Sequence, residues 1–274
     1  MPRPDGPRPD DDLHRIRELR ERRARDATGH YFVEGLRQVF CALDANLPVE
    51  VLVYCETLAP AIVQRRVRLA RRAGARVVRV SPEQFRGVSV AARASGIGAV
   101  LRQHWSSIRD ADPAGGLCWI GLGLTRSHGN LGTLLRTAEA VGVAGVVFLD
   151  RLTDPFDAQV VRASMGGIFG LRLVRATHSE LACWVSRHRG EVVGAAPRGD
   201  LSYTEIPLRS PLVVLFGEER RGLTVEELRL CTRTASIPMT GRADSLNLGV
   251  AAGVVLFDLR RRARDGAATL RPGG

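Results

Sequence analysis

Lysine is missing: all 40 basic residues of the 274 are arginine. That absence excludes every site built on a lysine, among them the P-loop of NTPases, the kinase-type lysine and Schiff-base catalysis. An arginine-only bias fits a GC-rich coding sequence as well as it fits selection for phosphate forks. Cysteine is sparse. The five, at 41, 55, 118, 183 and 231, form no Cys-x-x-Cys pair and have no His at ligand spacing. They read as small buried residues of a reduced cytosolic protein, so neither a zinc site nor a disulfide framework is expected. Long apolar runs are also lacking: the longest, residues 248–257, falls well short of the ~20 residues a membrane helix needs. The start, Met1-Pro-Arg-Pro-Asp-Gly-Pro7, has no apolar h-region of the secretory kind. A cytoplasmic protein without membrane segment or metal is expected.

What is present points to a folded chain with an anionic partner. A hydrophobic content of 45% over this length supports one large or two modest cores. The net charge of +11, with a pI near 10.8, favours nucleic acid or a membrane surface as the partner. The charge is uneven, with +7 on residues 1–107 and +4 on 108–274, so the first part is the better candidate for polyanion contact.

Alternating short apolar runs and amphipathic stretches predict two α/β blocks. In the first, over 1–107, residues 1–12 are expected to be disordered. Helices are expected over 13–26, 34–45 and 59–74, and strands over 50–54, 76–80 and 98–101. Periodicity lapses between 103 and 116 into Ser-Ser, Asp-Ala-Asp-Pro and Gly-Gly, which suggests a linker over 108–116. In the second block, 117–274, strands are expected over 117–124, 145–149, 171–174, 191–195, 212–216 and 234–237. Helices are expected over 130–142, 156–164, 179–188, 224–230 and 246–262, with a frayed tail after 265. This is the pattern of a parallel sheet with helices on both faces.

Three segments of the second block carry chemistry. In Asn130-Leu-Gly-Thr-Leu-Leu-Arg136-Thr-Ala138, Asn130 stands where a helix N-cap belongs and Gly132 permits close backbone approach. Arg136 falls roughly 150° from the centre of the apolar stripe, so it is exposed. It is either a solvated residue or a fork for a phosphate. In Leu215-Phe-Gly-Glu-Glu219-Arg-Arg-Gly222-Leu223, the adjacent acids Glu218 and Glu219 suit the positive end of a helix. In Ile237-Pro-Met-Thr-Gly241, followed by Ser245-Leu-Asn247, Ser245 reads as an ordinary N-cap. The apolar turn Ile237-Pro238-Met239 before it suits a planar ring better than solvent. A competing signal is Gly121-x-Gly123-x-x-Arg126 with Asp150 ending the next strand, the layout of a dinucleotide site. Arg126, however, occupies a position where that motif requires Gly or Ala.

Taken in this order and near these separations, the three segments resemble the signature motifs of the SpoU/TrmH family of RNA 2′-O-ribose methyltransferases. Gly29-His-Tyr-Phe-Val-Glu-Gly-Leu-Arg37 and Gly96-Ile-Gly-Ala-Val100 more loosely resemble that family's small ribosomal-protein-like α/β substrate-binding domain. The resemblance implies a C-terminal knotted parallel-sheet catalytic domain, where general topology rules would favour an ordinary doubly wound sheet. It implies Asn130, Arg136, Glu219, Ser245 and Asn247 as the polar active-site set. Backbone around Leu215, Gly217, Ile237, Met239 and Leu246 would hold S-adenosylmethionine. It also implies a homodimer with shared sites and RNA as substrate, ribosomal RNA rather than transfer RNA given the basic first block. An RNA-binding protein that kept the fold without catalysis is the alternative. Two positions depart from the family pattern: Glu218, where Asn, Ser or Pro is usual, and Gly249, where Ser is common.

Overall fold

Strands rich in β-branched residues, such as Val49–Tyr54 and Leu212–Phe216, alternate with amphipathic helices in the computed structural model, which describes residues 9–269. The chain divides into two compact units. One takes the residues up to Gln103 together with Asp154–Phe169, and the other takes His104–Thr153 and the chain from Gly170 on.

In the first unit, α1 (Pro9–Glu18) and α2 (Arg22–Thr28) precede β1 (His30–Glu34), α3 (Leu36–Asp44), β2 (Val49–Tyr54), α4 (Val63–Arg72), β3 (Arg76–Arg79), α5 (Pro82–Val88) and β4 (Ile97–Arg102). The sheet runs β1-β4-β2-β3, antiparallel except for the β2–β3 pair. Several expectations need correction, among them β1, which none of the expected strands covered. The single helix over 13–26 is two helices, because the break at 19–21 is tied off by buried Arg25, whose Nη1 donates to the carbonyls of Leu19 (2.9 Å) and Arg20 (2.7 Å). The helix over 34–45 starts only at Leu36: Glu34 closes β1, and Gly35, at φ 113°, makes the corner. Helix α5 was not foreseen, although Ser81 and Gln84 form a capping box with Pro82 between them. The expected disorder over 1–12 is half corrected, since α1 begins at Pro9 and residues 1–8 lie outside those described. Residues 154–169 contain α7 (Ala158–Ala163), and Phe156 packs its ring 4.7 Å from that of Tyr31.

In the second unit, β5 (Trp119–Leu122), α6 (His128–Val141), β6 (Gly145–Phe148), β7 (Leu173–Arg175), α8 (His178–Arg187), β8 (Glu191–Ala195), β9 (Leu201–Ser202), β10 (Leu212–Phe216), α9 (Val225–Leu230), β11 (Arg233–Ser236) and α10 (Leu248–Thr269) follow in chain order. The seven strands form an all-parallel sheet in the order β7-β6-β5-β10-β8-β11-β9. Strand β10 is thus inserted between β5 and β8, although it follows both in the chain. One sheet face packs Trp119, Val147, Val192 and Val213 against Leu181 and Trp184 of α8. The alternate residues Ile120, Val146, Phe148 and Val214 are equally buried on the other face, as a two-residue side-chain period requires when both faces are covered. The two-residue β9 is too short to show any period in sequence.

The expected linker over 108–116 is instead part of this core. Ile108 and Ala111 pack with Trp119 and Trp184. The indole N–H groups of Trp119 and Trp184 donate to the carbonyls of Asp112 (3.1 Å) and Ala111 (3.3 Å). Such anchoring uses backbone carbonyls, which leave no mark on composition. Helix α10 continues past residue 265, where fraying was expected, to Thr269; the last five residues lie outside those described.

Candidate active site

The site grows from the carboxyl end of β10, whose five residues Leu212–Phe216 are all buried. A Cβ on Gly217 would run into the backbone of Gly222, so only glycine lets the chain fold back here. The turn over 218–222 is closed by Glu218 N–H donating to the Gly222 carbonyl (3.0 Å) and Gly222 N–H to the Glu218 carbonyl (2.8 Å). Gly222 takes φ 67°, the left-handed conformation glycine adopts without strain.

This turn aims both acids at the loop between β5 and α6. Glu219 Oε1 accepts from Asn130 Nδ2 (3.3 Å) and from the Ser127 N–H (3.4 Å). Glu218 accepts from Arg126 Nε (3.3 Å). Asn130 is not the N-cap. Ser127 holds that place, its hydroxyl accepting from the Asn130 N–H at 3.3 Å, which leaves the Asn130 amide free for other partners. Its Oδ1 accepts from Asn247 Nδ2 at 2.8 Å. Asn247, not Ser245, caps α10, with Oδ1 accepting from the N–H of Gly249 (2.9 Å) and Val250 (3.3 Å). Glu219, Asn130 and Asn247 therefore form one hydrogen-bonded chain through all three sequence segments.

Gly249, unusual at its position, has a packing reason: a Cβ there would lie 2.9 Å from Thr133 Cγ2 where α10 crosses α6.

Beside this chain lies a cavity of about 290 Å³. Its walls are the 217–222 turn, the residues after β8 (Ala195, Ala196, Pro197), the apolar turn with Ile237 and Met239, and the approach to α10 with Asp244, Ser245 and Leu246. Of the ten residues singled out in sequence, Gly217, Glu219, Ile237, Met239, Ser245 and Leu246 line it. Asn130 and Asn247 stand at its edge through the bonded chain. Leu215 is fully buried in the sheet core and reaches the cavity with neither face. Arg136 lies exposed on α6, away from the cavity walls, with no hydrogen bond or ion pair among the described residues. Asp244, which accepts from the Ser245 hydroxyl at 3.4 Å, and the Ala195–Pro197 wall were missed. Asp244 adjoins a segment already flagged, whereas the residues after β8 carry no local signal.

The dinucleotide layout fails on geometry. Asp150 is consumed locally, accepting from the N–H of Leu152 (2.5 Å) and Thr153 (2.9 Å) and from the Thr153 hydroxyl (2.6 Å). Gly123, which would approach a pyrophosphate, is backed by the Glu227 carboxylate. Burial pushes the Cys118 thiol up to about 12, and burial with the nearby Glu227 carboxylate pushes Cys231 up to about 11. Neither is a nucleophile at neutral pH. Cys183 is exposed, against the expectation that all five are buried. Among the described residues no group of three or more His, Cys, Asp or Glu could hold a metal, and no helix is long and apolar enough to cross a membrane.

Residues 119–257 match the model of the SpoU rRNA Methylase family. The chain belongs to this family. The first part of this SpoU methylase, residues 11–99, matches the MRM3-like substrate binding domain. It is 34% identical over 152 residues to the 23S rRNA (uridine(2479)-2′-O)-methyltransferase of Streptomyces viridochromogenes, a match spanning 53% of each chain, about half the length of that relative. A match to the 23S rRNA (guanosine(2553)-2′-O)-methyltransferase RlmP of Bacillus subtilis, at 26% identity, covers 89% of this chain and 94% of the relative. In structure it is similar to an AdoMet-bound rRNA methyltransferase from Sinorhizobium meliloti, with TM-score 0.82, 34% identity and coverage of 92% of this chain and 94% of that one. The fold is therefore that of the SpoU methyltransferases, with an all-parallel sheet in the second unit.

Proposed function

We propose that this SpoU methylase transfers a methyl group from S-adenosylmethionine to a ribose 2′-hydroxyl of ribosomal RNA. The observation that carries the reading is the Glu219–Asn130–Asn247 chain at the edge of the cavity, because it joins three distant segments at one point. The relatives and solved neighbours named for rRNA 2′-O-methylation support the substrate.

The cavity residues fit the cofactor. A volume of about 290 Å³ lies at the small end of the roughly 300–1,000 Å³ usual for small-molecule sites. Ile237, Met239 and Leu246 offer an apolar wall for a purine, while Glu218, Glu219 and Asp244 offer carboxylates to a cationic ligand. Gly217 lets backbone rather than side chain face the ligand. When bound, S-adenosylmethionine supplies an electrophilic methyl on a sulfonium.

The chain's own work is alignment. A ribose hydroxyl is a poor nucleophile, so it must be held in line with the methyl and lose its proton as the bond forms. Arg136 serves as a planar fork of N–H donors on phosphate and hydroxyl. The proton leaves to a phosphate oxygen or water. Asn130 and Asn247 orient the nucleotide, and Glu219 fixes the Asn130 amide.

The knot belongs to the same reading. It is supported by β10 sitting between β5 and β8, by β11 pairing beyond β8, and by α10 then returning to pack on α6. So does a homodimer. Val250 and Phe257, one helical heptad apart on α10, are 52% and 56% exposed, an apolar stripe that a second copy would cover. With ribosomal RNA as substrate, the location is cytoplasmic.

Mass-spectrometric mapping of ribose methylation in ribosomal RNA from cells with and without the gene tests the reading, with loss of one 2′-O-methyl mark expected. Calorimetry adds a second readout. Folded protein that gives no heat with saturating S-adenosylmethionine would refute the enzyme and leave an RNA-binding protein.

A further inference from the structure

Helix α4, VQRRVRLARR, holds five arginines and no acid. Val63, Val67 and Ala70 face the core. At about 100° per residue, Arg65, Arg68 and Arg72 fall within about 60° of one another, directly opposite that buried face. All three are exposed, and none has a hydrogen bond or ion pair among the described residues. Several other arginines have acid partners instead. Arg66 of the same helix pairs with Asp44 at 2.5 Å, and on α10 Arg261 and Arg262 share Asp258 at 2.8 and 2.7 Å.

The helix dipole accounts for only part of the stripe. It favours Arg72 in the last turn but opposes Arg65 in the first. Arg65–Arg68 and Arg68–Arg72, three and four residues apart, also repel each other. Among the described residues of the unit no acid pairs with this stripe, so a polyanion outside it is the fitting partner. At ~1.5 Å per residue the three positions span about 10 Å along the helix axis, the scale of consecutive phosphates rather than of one small anion.

We propose that the Arg65–Arg68–Arg72 face of α4 docks on the phosphate backbone of the ribosomal RNA substrate. This rests on the ribosomal-RNA reading above and names the surface that holds the RNA away from the reacting nucleotide. Phosphate contacts of this kind position the RNA and carry no sequence information of their own.

The test uses the full chain and deproteinised 23S ribosomal RNA, with affinity measured across a salt series. Each lost phosphate contact lowers the slope of log affinity against log salt by about 0.7–0.9, so Arg65→Ala/Arg68→Ala/Arg72→Ala should flatten it by about 2–3. Alanine keeps the helix, and a far-UV circular-dichroism spectrum and thermal melt like those of the wild type show that the variant is folded. Arg187→Ala/Arg209→Ala/Arg229→Ala, which removes the same charge from other exposed positions, should leave the slope at the wild-type value. A wild-type slope in the α4 variant, or equal flattening in both, overturns the docking face while leaving the methyltransferase reading intact. Absence of salt-dependent binding by the wild type overturns the docking face and the ribosomal-RNA reading together.

Discussion

Arg136 separates a solvated surface residue from a substrate anchor more sharply than any other side chain. It touches no core atom, so Arg136→Ala should change stability by no more than ~0.5 kcal/mol in either case. If it anchors the reacting nucleotide, single-turnover methyl transfer should fall by two orders of magnitude or more, since a misplacement of about 1 Å costs roughly a hundredfold. Cofactor affinity should stay near wild type. Arg136→Lys should recover little, because a point charge does not replace a planar fork. Near-normal transfer by the alanine variant would reduce the first segment to a capped helix. Asn247 allows a different separation, because one amide does two jobs: Oδ1 caps α10 while Nδ2 holds Asn130. Asn247→Ala should lose about 1 kcal/mol in thermal denaturation along with activity. Asn247→Ser keeps a cap oxygen but not the donor, so stability should largely return while methyl transfer stays low. Recovery of both would show that the Asn130 contact is incidental.

Between elements, packing rather than local propensity sets the geometry. Gly249 faces Thr133 at the crossing of α10 and α6, so a serine there would crowd this chain. Gly249→Ser should destabilise by about 1–3 kcal/mol, as overpacking does. Adding Thr133→Ala should restore most of the loss in urea titrations, and an additive double variant would contradict the contact. In the first unit, Arg25 is 4% exposed and reaches Asp154 at 2.7 Å and Asp157 at 3.2 Å, besides the carbonyls at the α1–α2 break. Arg25→Met removes the cation from Asp154 and Asp157 and the donor from two carbonyls, and should cost about 3–5 kcal/mol, the scale of a broken buried pair. A loss below about 1 kcal/mol would mean the acids are solvated after all.

For the whole molecule, the exposed stripe on α10 and the position of Arg136 bear on assembly. Phe257→Arg should convert a dimer to a monomer in sedimentation velocity and reduce methyl transfer with it. If active sites are completed across a dimer, mixing Arg136→Ala chains with Gly217→Val chains should regenerate part of the activity that neither has alone. A wild-type monomer with full activity would remove the dimer from the proposal. Truncation is a poor way to divide labour here. A chain starting near Ala111 loses Ile108 from the second core and deprives residues 154–169 of Arg25 and Tyr31.

The α/β alternation is legible in the chain alone, because a two-residue or 3.6-residue apolar period is written locally. The family and part of the cavity wall are legible too, since Gly217, Glu219, Ile237, Met239, Ser245 and Leu246 lie in short contiguous segments. The rest depends on contacts between segments far apart in the chain. The strand order, with β10 between β5 and β8, depends on long-range pairing that no local period encodes. Ser127 and Asn247, not Asn130 and Ser245, proved to be the caps, because a cap is defined by which backbone N–H groups an oxygen can reach. A supposed linker became core through bonds to its carbonyls, and Asp154 and Asp157 found Arg25 from about 130 residues away, a distance that chain folding alone can close.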